Sequence, residues 1–288
     1  MANKSHSYGY YIIGFVDVLG QREKLRQLRR LPKDDADLEN TIKLLRETAG
    51  YVMKLREILA DYFLRLKTPG PLLAGLPPQV QEQLKAVRTA PLYRGFSDSF
   101  VMTGSLASDK NENCSAMTAV FGTIAACSML PFIALSMGRP VRGGIEVGLG
   151  LEITPDEIYG PALERAHYLE SRLADYPCVL VGDELWNYLS WAEAQIATSP
   201  LGRVAVALAS KSKEFVTIDA DGRRMLDFLG QNIAQNIPPV DRRELIKRVA
   251  DYITGQEQAA QNGKNQKFIL RYQKLRAYFD SRSAIWSA

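Results

Sequence analysis

The chain has 288 residues, 46% of them hydrophobic, and a formal net charge of +4. That is enough apolar material for a full buried core, in one large domain or one domain with helical additions. No uninterrupted run of about 18 apolar residues occurs, so a membrane span is not expected, and two histidines alone give poor support to a zinc site or a Ser-His-Asp triad.

Cys114, Cys127 and Cys178 have no paired spacing and read as buried reduced thiols. The polar start Met1-Ala2-Asn3-Lys4-Ser5-His6-Ser7 lacks the apolar region of a signal peptide, so a cytoplasmic protein is expected. Positive charge concentrates in two places. Residues 241–288 carry ten Lys/Arg against five Asp/Glu, and Arg22, Lys24, Arg26, Arg29, Arg30 and Lys33 form a second cluster. Acidic residues interleave with most of them, which reads as solvated faces. No aromatic-basic motif of the single-strand binders is present, so nucleic acid is not an expected partner.

In chain order, residues 8–18 are rich in Tyr, Ile, Phe and Val and predict a central strand buried on both faces. Gly20 permits a sharp exit, and a helix begins near Gln21 and breaks at Pro32. Asp37 is placed to cap the next helix. Its apolar positions Leu38, Ile42, Leu45, Ala49, Val52, Leu55 and Leu59 recur at helical spacing, and Thr68-Pro69-Gly70-Pro71 ends it. A short amphipathic helix reaches about residue 87. Residues 91–103 read as a hairpin with Ser97-Asp98 at its turn, and residues 108–113 as a polar loop.

Residues 114–137 predict a helix interrupted by Thr118, Gly122, Thr123, Ser128, Pro131 and Ser136, suited to burial in protein and capped by Gly138. Residues 141–151 form a strand in which Gly143, Gly144, Gly148 and Gly150 signal close approach of backbone or ligand. A helix over 160–173, a strand over 178–181 and a helix over 183–197 follow. Late strands are expected at 215–218 and 225–229, joined by Asp219-Ala220-Asp221-Gly222. Beyond Pro238-Pro239 the chain reads as a helical hairpin, 241–262 and 264–281, with Gly263 between.

This order is that of an α+β, ferredoxin-like βαββαβ core with a long helical insertion at about 21–88. Residues 1–235 form the predicted catalytic domain, and residues 236–288 a helical extension packed on it. In such a core the first strand and the hairpin are neighbours, which sets Asp17 beside Asp98. Each taken alone has a plain reading, Asp17 as a helix N-cap and Asp98 as a turn residue. Taken together, two carboxylates at strand ends can hold divalent cations. The amides of Leu19, Gly20 and Gln21 lead into a helix N-terminus and predict an anion site. Tyr51, on the inserted helix, suits either base stacking or core packing.

Four segments carry a resemblance. Phe15-Val16-Asp17-Val18-Leu19-Gly20 resembles the first metal motif of the class III nucleotidyl cyclases, and Gly95-Phe96-Ser97-Asp98-Ser99-Phe100 resembles their second. Val141-Arg142-Gly143-Gly144-Ile145-Glu146-Val147-Gly148 is similar to their Arg-x-Gly-Ile-x-x-Gly strand, and residues 159–171 are similar to the helix that follows it. The resemblance implies a nucleoside triphosphate as substrate and two Mn²⁺ or Mg²⁺ ions held by Asp17, Asp98 and the Val18 carbonyl. It implies substrate contacts at Phe15, Leu19 and Gly20. It also implies a homodimer with composite sites, because the chain holds one copy of each motif.

Departures from the purine cyclases are plain. Their transition-state Asn and Arg fall here on Glu164 and Tyr168. Their base-reading Lys and Asp fall on Arg94 and Glu157. With the helical insertion and the C-terminal hairpin, these departures resemble the pyrimidine cyclases of bacterial antiphage (Pycsar) systems. Those make cyclic UMP or cyclic CMP as an alarm signal for a separate effector protein. On that resemblance UTP is the expected substrate, with CTP or a catalytically silent nucleotide-binding domain as alternatives. Arg165, and Lys211 or Lys213, are the candidate replacements for the missing transition-state cation.

Overall fold

The long strand β1 (Ser7–Val18) is the spine of the sheet: it pairs antiparallel with β3 (Ser99–Ser105) on one side and β4 (Val141–Thr154) on the other. The computed structural model describes residues 7–26, 28, 31–65, 75–107, 112–154 and 157–287. The remaining strands are β2 (Leu92–Phe96), β5 (Glu157–Tyr159), β6 (Val179–Val181), β7 (Val216–Ile218) and β8 (Arg224–Leu226). They lie in the order β2-β3-β1-β4-β6-β8-β7, with β5 folded back on β4. The first four of that order are the ferredoxin-like arrangement. Among the described residues β4 and β6 are the one parallel pair, the rest being antiparallel. The fold is α+β.

Strand alternation divides β1 between two cores. Ile12, Val16 and Val18 face a large core that holds α4 (Cys114–Ser136), while Tyr11 and Ile13 face a small one with Ile158, Ala162 and Ala166. α4 is apolar on all sides because it is surrounded. By length and hydropathy it would suffice to cross a membrane, yet 83% of its most apolar window is buried inside this fold. All three cysteines are buried.

On the second face lies α5 (Pro161–Tyr168), which continues into a π-helical turn at Leu169–Leu173. The β4 glycines make room for it. A Cβ at Gly144 would strike the Ala166 carbonyl, and one at Gly148 would meet Ala162 at 3.4 Å. The expected close approach is therefore of backbone.

The inserted segment forms α1 (Gln21–Arg26), α2 (Asp35–Arg65) and α3 (Pro78–Val87). Three details differ from the sequence reading. α1 ends at Arg26, short of Pro32. Asp34, not Asp37, receives the helix-start amide: Asp37 N–H donates to Asp34 Oδ1 at 2.8 Å, and the Asp37 carboxylate takes the Lys33 N–H at 3.2 Å. Of the apolar stripe, Val52, Leu55 and Leu59 are buried while Leu38, Ile42 and Leu45 face solvent. The expected terminator at 68–71 and most of the loop at 108–113 lie outside the described residues.

After β6 come α6 (Asp183–Glu193) and α7 (Pro200–Lys213). The sequence reading missed α7. Its signals were present: Ser199 accepts the Gly202 N–H at 3.0 Å, Pro200 opens the first turn, and Leu201, Val204, Ala205 and Leu208 share a face. α8 (Gln231–Gln235) leads to the hairpin of α9 (Pro239–Asn262) and α10 (Gln266–Trp286). The hairpin is locked to the body. Trp286 stacks on Phe132 of α4 at 4.9 Å and its Nε1 donates to the Leu229 carbonyl at 2.8 Å.

Candidate active site

Asp17 is the last residue but one of β1, opposite Ser99 of β3 and Arg142 of β4. Directly paired residues share a face, so Phe96, Ser99, Asp17 and Arg142 form one row across four strands, on the side where α5 lies. Ser99 Oγ donates to Asp17 Oδ1 at 2.8 Å and fixes that carboxylate. Asp98 follows Ser97, whose φ of +53° turns the chain between β2 and β3. Two contacts hold this turn. Val18 N–H donates to the Asp98 carbonyl at 3.2 Å, and Arg56 of α2 donates to the Ser97 carbonyl at 3.2 Å. Gly95 has no side chain because the Arg56 guanidinium lies against it: an added Cβ would sit 2.6 Å from Nη2. The inserted helix thus braces the second carboxylate loop. Both Asp17 and Asp98 remain half-buried.

Asp17, Val18, Leu19 and Gly20 border a cleft of about 700 Å³ whose opposite wall is α5 and the π turn, with Glu164, His167, Tyr168 and Arg172. Arg142 forms the floor. It is held by Glu170, whose Oε1 accepts from Nε at 2.8 Å and from Nη2 at 2.6 Å, and its Nη1 donates to the Ala174 carbonyl at 3.1 Å. His167 packs edge-on against Phe15 with centroids 5.0 Å apart. Phe15 therefore seats the wall rather than lining the cleft itself.

The donor set suits a hard divalent cation. Two carboxylates and the Val18 carbonyl are oxygen ligands of the kind Mg²⁺ and Mn²⁺ take. Among the described residues no group of three or more His, Cys, Asp or Glu converges.

Other expected site residues fall elsewhere. The Leu19 N–H donates to the Pro140 carbonyl at 2.9 Å and α1 is only six residues long, so the anion site expected at its start loses its first donor. Gly20 makes the exit turn at φ +85°. Tyr51 is 9% exposed and its hydroxyl donates to the Arg139 carbonyl at 2.8 Å. Burial pushes that hydroxyl above the ordinary tyrosine range. This is the position of a core tyrosine. Arg94 donates to Thr103 Oγ1 and to Glu152, each at 2.6 Å, while Glu157 stands exposed on β5.

Arg165 is exposed and is not among the residues that line the cleft. Lys211 and Lys213 lie in the last turn of α7. They pair with Glu214 at 2.6 Å and Glu193 at 2.7 Å, away from the cleft. Arg142, His167 and Arg172 were not anticipated. Arg172 was legible, since it lies four residues past Tyr168 and eight past Glu164 on one helical face. Arg142 needed the β1–β4 register.

No known family profile and no curated protein sequence matches the chain. Among solved structures, the crystal structure of the adenylyl cyclase CyaB from P. aeruginosa is similar at 15% identity, over 67% of this chain and 89% of that one, with a TM-score of 0.40. A likeness that distant carries no argument about this chain's activity.

Proposed function

We propose that this chain is a nucleoside-triphosphate cyclase that releases diphosphate. The observation that supports the reading is the pairing of β1 with β3, which puts Asp17, on the border of an open cleft, opposite Ser99, the residue after Asp98. Asp17, oriented by Ser99, and Asp98, on its braced turn, would hold Mn²⁺ or Mg²⁺ through carboxylate oxygens. The metals, when bound, supply Lewis acidity at the reacting phosphate and at the attacking 3′-hydroxyl. Arg172, exposed on the facing wall, is the cation placed to meet the anionic phosphates. Arg142 is turned toward Glu170 and serves first to hold the π turn against β4.

We propose a homodimer as the working form. β2 leaves Leu92 and Phe96 55% and 83% exposed on the face that carries Asp17, where a two-fold mate would cover them and complete each cleft. Base choice rests on the resemblance alone. Arg94 offers donors and ionised Glu157 acceptors, a complement to uracil O4 and N3–H. In this chain a base carbonyl would compete with Thr103 and Glu152 for the Arg94 guanidinium. The same resemblance makes the product a cyclic pyrimidine nucleotide read by a separate effector in antiviral defence.

A second reading, a silent nucleotide-binding domain, is favoured by one feature: the cleft presents Glu164 and Tyr168 in place of an amide and a cation. Incubation of the protein with UTP, CTP, ATP and GTP in equal amounts and Mn²⁺, with cyclic products read by mass spectrometry, separates the two. The proposal expects a cyclic pyrimidine product. A main product of cyclic AMP or cyclic GMP sinks the pyrimidine part, and binding without turnover of any of the four leaves the silent domain standing.

A further inference from the structure

Among the described residues, the first half of α2 is a largely exposed helix. None of residues 35–47 is buried, although the helix goes on to seat Tyr51, Val52, Leu55 and Leu59 in the core. A free helical arm of this length is marginal in water by itself. Yet it carries an apolar stripe: Leu38, Ile42 and Leu45 are 44%, 38% and 45% exposed, and Ala49 is exposed too. The spacing of four, three and four residues is that of a two-helix seam. Over about 17 Å the stripe faces solvent, and it then runs without a break into the buried Val52.

The charges beside the stripe select the occupant. Glu39 and Arg46 each follow a stripe residue by one position and so flank the same edge. Both are exposed, and neither makes an ion pair among the described residues. In an antiparallel copy with Ile42 across from Leu45, Glu39 of one helix comes within about 3 Å of axial level with Arg46 of the other. The two-fold axis repeats the pair. A parallel copy would instead set Glu39 against Asp34, acid against acid. We infer that the exposed half of α2 is a docking surface for a second copy of this chain, paired antiparallel through Leu38, Ile42, Leu45 and Ala49, with two Glu39–Arg46 pairs.

This contact lies on the large-core side of the sheet, opposite the face that carries Asp17. It does not depend on the proposed activity, and its test reads mass rather than turnover. Light scattering over a concentration series would compare wild type with Leu45→Asp, Glu39→Arg, Arg46→Glu, the double variant with both charges exchanged, and an equimolar mixture of the two single charge variants. All three positions are exposed, and far-ultraviolet circular dichroism confirms the fold of each. The weight-average mass of Leu45→Asp and of each single charge variant should fall clearly below that of wild type at the highest concentration. The double variant and the mixture should recover the wild-type mass, because each restores one acid opposite one base at both ends. Leu45→Asp matching wild type at every concentration, or a mixture no heavier than its components, would overturn the inference. So would a wild type that does not associate beyond Leu45→Asp, which would assign the stripe to a partner of another kind.

Discussion

Arg56 is the residue whose loss should show how the site is held. It reaches from α2 to the Ser97 carbonyl at 3.2 Å and lies on Gly95, so it stabilises a turn that keeps a non-glycine residue at positive φ. A hydrogen bond from a charged donor contributes about 1.5–3 kcal/mol. Arg56→Ala should leave the fold intact and loosen Asp98. Turnover should fall about tenfold, the equivalent of about 1.4 kcal/mol, with a higher Mn²⁺ requirement in a metal titration. Unchanged Mn²⁺ dependence would deny Arg56 that role. Glu170 makes a different claim. It is 5% exposed on its side chain and holds Arg142, itself 20% exposed. Breaking a buried pair by removing one partner costs about 3–5 kcal/mol. Glu170→Ala should lie at the low end of that range in urea unfolding, because Arg142 keeps its bond to the Ala174 carbonyl. At this scale the sequence made Asp17 and Asp98 visible, since carboxylates at the ends of apolar runs need a reason to be there. It could not show Ser99, Arg56 or Arg142 at work, because those contacts cross between segments far apart in the chain.

Glu146 shows how an element can depend on one buried carboxylate. It sits in β4, 5% exposed, and its Oε1 accepts the Leu185 N–H at 2.7 Å in the first turn of α6 and the Val147 N–H at 2.9 Å. Burial raises its pKa above the ordinary 4.5, against the backbone bonds that favour the ionised form. The folded state therefore holds the proton more tightly than the unfolded state. The stability this contributes is complete below pH 4.5 and is lost as pH rises through the folded value. Glu146→Gln keeps the acceptor and stands in for the protonated acid. Its melting temperature should exceed wild type at neutral pH and converge with it below pH 4.5; a gap that widens on acidification would contradict this. Most elements were legible from period and punctuation: the βαββ order, the apolar α4 and the two C-terminal helices all have strong local patterns. The buried face of α2 was not, because seven apolar positions at helical spacing do not say which half meets a core. β5 is three residues long and has no pattern to read.

The whole molecule depends on its C-terminal hairpin more than an appendage would suggest. The Tyr278 hydroxyl donates to Asp227 at 2.7 Å and accepts the Leu229 N–H at 2.9 Å, and Arg282 joins the same carboxylate at 2.9 Å. Tyr278→Phe would leave a buried amide and part of a carboxylate unsatisfied, at a cost of about 1–3 kcal/mol, read as a lower midpoint in urea. Lys274 ties the same helix to Asp175 at 2.7 Å, just past the π turn that walls the cleft. Removing residues 264–288 should therefore lower the unfolding midpoint and expose Phe132, with increased binding of a hydrophobic dye; a truncated chain as stable as the full one would show the hairpin to be independent. The central claim, however, is that the edge of β1 and the β2–β3 turn together make a metal-dependent cyclase site. The most direct measurement is the cyclic nucleotide formed from each nucleoside triphosphate with Mn²⁺ by wild type, Asp17→Ala and Asp98→Ala, all at matched circular dichroism. The account predicts product from wild type and none from either variant. Product from either variant at the wild-type rate, or none from wild type with any of the four, would contradict it.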